Sequence, residues 1–133
     1  MPAWAYDSYA NDNVQEVIDE TDKNEESINA MVKDVFDQVL DDYPSNNDLE
    51  FLVGIIVWAL RSGFHIEKKE LKVTNDIVKY LLENSDFSYW KNPETRKTKL
   101  KNEKNLLIKG LFNKPITEVV LKKKTSKVVN EYL

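Results

Sequence analysis

His65 is the chain's only histidine. To serve nucleophilic hydrolysis it would have to take the proton of a Ser or Thr hydroxyl while a carboxylate oriented its ring. No G-x-S-x-G elbow or comparable nucleophile motif accompanies it. It follows Gly63 in what reads as a loop, where it is expected to face solvent or pack on the core. One histidine and no cysteine leave a zinc site only carboxylates. Asp41, Asp42, Asp48 and Glu50 do gather around Pro44, but not in the D-x-[DN]-x-[DN]-G spacing of a calcium loop. Three scattered glycines make no phosphate cradle. The chain is therefore read as a non-enzyme without metal or cofactor, and a carboxylate-dependent hydrolase is kept only as a third possibility.

Charge is the feature that composition singles out. Residues 1–50 hold 14 Asp and Glu against Lys23 and Lys33 alone, whereas residues 51–133 hold 17 bases against 9 acids. Such a division can give the folded surface two faces of opposite field, which bears on partners and not on fold. The acidic part suggests docking on a basic protein, where complementary charge speeds encounter and selects the partner. The lysine-rich segment with Lys91, Arg96, Lys97, Lys99, Lys101, Lys104 and Lys109 raises nucleic-acid binding through phosphate neutralisation, or simply a solvated basic face paired with acidic neighbours.

The elements that must position these groups read as helices. Asn11-Asp12-Asn13 can cap a first helix over about 12–21, with Val14, Val17 and Ile18 at i, i+3, i+4. Asp22 or Asn24 can cap a second, whose apolar residues Ile28, Met31, Val32, Val35, Phe36, Val39, Leu40 and Tyr43 recur at alternating spacings of three and one. Pro44 ends it. Its opposite face carries Asp34, Asp37, Asp41 and Asp42. A central apolar helix follows over 49–62, stopped by Gly63 as a left-handed cap. Gly54 inside it costs roughly 1 kcal/mol against Ala, so close approach of another helix is expected there. Residues 64–73 are ambiguous, with Leu71 and Val73 alternating like a strand. Thr74 is expected to cap a helix carrying Ile77, Val78, Leu81 and Leu82 that ends near Asn84, and Pro93 to open a last one. The fold expected is all-α, a single compact domain of about five to six helices around the central apolar one, with 112–133 as a C-terminal extension. The run from Phe51 to Leu60 is about half the length that spans a bilayer, and Met1 to Asp7 lacks the character of a secretory signal. With no cysteine, a cytoplasmic protein is expected.

Three segments together resemble a family of short bacterial proteins, domain of unknown function 4259. Ala3-Trp4-Ala5-Tyr6-Asp7-Ser8-Tyr9-Ala10-Asn11-Asp12 is similar to its opening G-A-W-G-x-G-x-F-x-N-D pattern, with Trp4 and Asn11-Asp12 matching, Pro2 and Ala5 replacing glycines and Tyr9 replacing its aromatic. Val39-Leu40-Asp41-Asp42-Tyr43 leads into an apolar helix that ends Ala59-Leu60 before a glycine. Ser85 to Glu94 is similar to the family's S-E-L-x-x-L-W-x-x-x-E stretch before its last helix. The resemblance covers about residues 2–111 and implies an all-helical bacterial domain in which Trp4 and Asn11-Asp12 lie together, read as an aromatic plug and a helix cap. It carries no activity. The function expected is a small acidic protein-binding domain of the immunity or antitoxin type, which neutralises a basic toxin or effector domain through Asp34, Asp37, Asp41 and Asp42. The alternatives are a nucleic-acid-associated accessory protein using Lys97, Lys101 and Lys104, and a helical protein with no toxin partner.

Overall fold

The computed structural model describes residues 7–9, 11–41 and 43–112. Trp4, Asp42 and residues 113–133 lie outside them. Five α-helices follow in order: α1 (Asp12–Glu20), α2 (Glu25–Leu40), α3 (Asn46–Arg61), α4 (Lys68–Asn84) and α5 (Pro93–Phe112), with a 3₁₀ turn (Phe87–Tyr89) before the last. No strand is present among the described residues.

Four of the five helices start where a side chain takes up an orphan N–H. Asn11 accepts from Val14 at 3.0 Å, Asn24 from Ser27 at 2.8 Å, and Asn92 from Thr95 at 3.2 Å, just ahead of Pro93. Ser45 and Asp48 form a reciprocal capping box at 3.2 and 3.0 Å. That box starts α3 three residues earlier than the apolar pattern suggests, because Asn46, Asn47 and Asp48 are helical without being apolar. Helix α2 ends at Leu40, before Pro44, so Tyr43 leaves the apolar stripe and is 99% exposed.

Helix α3 packs against α1, α2, α4 and α5. Eight of its residues are buried, among them Leu52, Val53, Ile55, Ile56 and Val57 with essentially no exposure. It stops in a Schellman arrangement. Gly63 N–H donates to Leu60 at 3.1 Å, Phe64 N–H to Ala59 at 2.9 Å, and the Phe64 ring closes on Trp58 with centroids 5.8 Å apart. Gly63 has φ +87°, and a methyl group added there meets nothing within 4 Å. The cost of Gly63→Ala is thus purely conformational, about 1–2 kcal/mol. It is expected as a lower urea midpoint at unchanged m-value.

The segment 64–73 is not a strand. Helix α4 begins at Lys68, so Thr74 lies inside it and caps nothing; its buried hydroxyl donates back to the Glu70 carbonyl at 2.7 Å. The buried face of α4 is Glu70, Leu71, Thr74, Ile77, Val78 and Leu81. Two of those six are polar, which breaks the apolar period at the start of the helix.

Candidate partner-binding surface

Most carboxylates of the acidic half of the sequence are exposed. Between Asp12 and Asp41 ten carboxylates are exposed: Asp12, Glu16, Asp19, Glu20, Asp22, Glu25, Glu26, Asp34, Asp37 and Asp41. The two lysines among them are occupied. The Lys23 ammonium donates to the carbonyls of Ile18 and Thr21, and that of Lys33 pairs with Glu67 at 2.9 Å.

Two grooves are lined in part by these carboxylates. One, of about 520 Å³, runs between α1 and the first turns of α3 and is lined by Asn13, Glu16, Val17, Glu20, Asn47, Asp48 and Phe51. Three carboxylates and two half-buried apolar side chains meet there, and no base lines it. The other, of about 830 Å³, lies between α2 and α4. Lys33, Phe36, Asp37, Gln38, Leu40 and Asp41 line it from α2, and Lys69, Glu70 and Val73 from α4.

The first groove exists because α1 is fastened onto α3. Val14 and Ile18, one turn apart, are buried, and the backbone of Ser8 passes directly over Gly54. A cluster of buried polar groups holds that strand of chain in place. Ser8 N–H donates to Glu103 Oε2 at 2.9 Å and Ser8 Oγ to Glu103 Oε1 at 2.6 Å, while Arg96 Nη2 donates to Ser8 Oγ at 2.9 Å. Arg96 and Glu103 are themselves an ion pair, 3.6 Å apart, and the guanidinium lies over the Trp90 ring at 5.0 Å. Asn11 Nδ2 donates to the Ser8 carbonyl at 3.2 Å. Burial pushes the Glu103 carboxyl above its ordinary value, against the hydrogen bonds from Ser8 and the charge of Arg96. Half-buried Glu50, the one charged residue in the apolar run of α3, is pushed up by the same cause and held back by Arg96. A serine hydroxyl between a carboxylate and a guanidinium resembles an activated nucleophile in outline. With Ser8, Arg96 and Glu103 exposed by only 4%, 1% and 0%, the hydroxyl has no room for a substrate, and the cluster fastens the N-terminal segment instead.

Of the residues expected to meet a partner, Asp34, Asp37 and Asp41 are exposed, and Asp42 lies outside the described residues. Asp37 and Asp41 line the α2–α4 groove; Asp34 lines neither groove and accepts from Gln38 at 3.1 Å. Glu16 and Glu20 were not singled out by the sequence pattern, although their i, i+4 spacing puts them on one side of α1, and Asp48 was weighed only within the acidic cluster around Pro44. In the basic segment, Arg96 is not part of a solvent stripe, since it belongs to the buried cluster. Lys97 pairs with Glu94 at 3.4 Å and stands over the Phe87 ring at 5.2 Å, Lys101 is exposed and Lys104 half-buried. His65 is exposed, its backbone N–H bonded to Glu25 at 3.1 Å. Among the described residues no three His, Asp or Glu side chains converge as a metal-binding group, and no helix is long and apolar enough to cross a membrane. No family model matches the chain, and no curated protein or solved structure does so either.

Proposed function

We propose that this chain is a small protein-binding domain of the immunity or antitoxin type, acting in the cytoplasm by covering a basic surface of a bacterial toxin or effector. One observation carries the reading: the α1–α3 groove sets Glu16, Glu20 and Asp48 around Val17 and Phe51 with no base lining it, while Lys23 and Lys33, the two lysines of the acidic half, are already engaged. Partly buried apolar side chains supply desolvated contact, and the carboxylates supply steering and choice of partner. Asp34 adds an exposed carboxylate on α2.

The test is capture from native lysate with the full chain as bait, followed by co-expression with the captured protein. The wild type is expected to retain a basic protein and to relieve its toxicity. Glu16→Lys together with Glu20→Lys should weaken that retention by at least about tenfold, as expected when charge complementarity is reversed, while circular dichroism stays unchanged. Retention that ignores the reversal would sink the proposal.

A further inference from the structure

We infer that the α2–α4 groove is the contact surface of a symmetric homodimer. Its floor is apolar. Phe36 is buried beneath it, while Leu40 and Val73 stand 42% and 38% exposed, two of only five large apolar side chains that are exposed among the described residues. Tyr80, 47% exposed, lies two turns beyond Val73 on the same side of α4 and extends the apolar strip.

The two edges of the groove differ in charge. On α2, Lys33 is committed to Glu67, which leaves Asp37 and Asp41 facing out with no ion pair among the described residues. On α4 the edge presents Lys69, because its neighbour Glu70 is only 6% exposed and accepts from the Glu67 N–H at 3.4 Å. A partner carrying one sign of charge meets one favourable edge and one repelling edge. A second copy does not. A two-fold axis running along the groove, in the plane of contact, lays the α2 edge of one copy on the α4 edge of the other. Asp37 and Asp41 then face Lys69 of the other copy, Leu40 faces its Val73, and each contact occurs twice. This surface and the α1–α3 groove use different residues, so either can fail alone.

Sedimentation of the full chain from micromolar to millimolar concentration is expected to show a monomer–dimer equilibrium. Asp37→Lys with Asp41→Lys in one variant, and Lys69→Glu in another, should each raise the dissociation constant by at least about tenfold through like-charge contacts. Mixed in equal amounts, the two variants should pair again, since each then offers the edge the other lacks. Because the chain has no cysteine, a second measurement is open: chains with Leu40→Cys mixed with chains with Val73→Cys should cross-link under mild oxidation. A wild type that stays monomeric throughout overturns the inference. So does a dimer that both charge variants keep, or a mixture that neither pairs nor cross-links.

Discussion

Glu103→Ala is expected to lower the stability of the domain by about 3–5 kcal/mol, the usual cost of breaking a buried charge pair by removing one partner. Set against the roughly 5–15 kcal/mol that holds a domain folded, this is a loss on the order of 10 °C or more in the thermal midpoint. The size follows from what the carboxylate does. It accepts the N–H and the hydroxyl of Ser8 and faces Arg96, all within a site that excludes water. Arg96→Met should cost a similar amount, since it strands the carboxylate and removes the guanidinium from the Trp90 ring. The double replacement Arg96→Met with Glu103→Leu should be more stable than either single one, because no uncompensated charge is then left inside. It should still fall short of wild type, since the buried Ser8 N–H loses its acceptor, worth about 1–3 kcal/mol. A double variant no better than the worse single would contradict this account.

The same cluster has a signature in pH. The Glu103 carboxyl is raised in the fold, chiefly by burial, and Arg96 is among the groups that hold it down. A raised acid keeps its proton in the folded state at a pH where the unfolded chain has released it. Its contribution is full below the unfolded value and is lost as pH rises through the folded one. Without Arg96 the carboxyl rises further. The deficit of Arg96→Met is therefore expected to shrink as pH falls toward the ordinary carboxylate range, because Glu103 takes up its proton sooner when Arg96 is gone, and urea melts of both proteins at neutral and mildly acidic pH check it. The exposed Lys33–Glu67 pair cannot mimic the effect, because its carboxyl is lowered by the lysine and its contribution falls on acidification.

Much of the scaffold was legible in the sequence because it rests on local rules. The three-and-one spacing of α2 places Ile28, Val32, Val35 and Phe36 in the core, while Asn11 and Asn24 announce helix starts by side-chain chemistry and Gly63 a helix stop by its positive φ, all acting within a few residues. What was not legible depends on contacts distant in sequence. In α5 the residues Arg96, Leu100, Glu103 and Leu107 recur at four, three and four, a core stripe as regular as that of α2, and all four are buried. Two of them are charged, so an apolar count passes over the stripe and assigns Arg96 to the surface. The start of α4 failed for the same reason, since Glu70 and Thr74 stand where the period wants apolar side chains. The acidic groove was hidden differently. Glu16 and Glu20 on α1 meet Asp48 on α3 only because two helices pack, and no spacing within one helix encodes that meeting. The charge division, by contrast, was visible at once, and among the described residues the fold leaves most acids of α1 and α2 exposed without pairing them to the lysines of α5. Among the described residues the ion pairs of α5 are Lys97 with Glu94 and Arg96 with Glu103, both within the helix.

Gly54→Ala should also destabilise the domain, although helix propensity alone favours Ala by about 1 kcal/mol. A Cβ at this position would sit 2.6 Å from the Ser8 carbonyl oxygen, 2.8 Å from Val14 Cγ2 and 3.0 Å from the Ser8 carbonyl carbon. The sequence pointed to close approach of a helix at Gly54; α1 does supply Val14, but the tighter contact is the irregular backbone before it. That backbone cannot yield cheaply. Its N–H and hydroxyl are fixed to Glu103, and its carbonyl accepts from Asn11. Overpacking of this kind costs about 1–3 kcal/mol, and Gly54→Val should cost more than Gly54→Ala because the β-branch meets the same wall. If the clash is relieved by lifting Ser8 from its seat, Gly54→Ala and Glu103→Ala damage one shared contact, and their effects should not add. The double variant is then expected to be less destabilised than the two single losses together, and urea melts of the four proteins measure the difference. Strict additivity would mean that Ser8 stays in place when Gly54 is filled, and that α3 moves instead of the N-terminal segment.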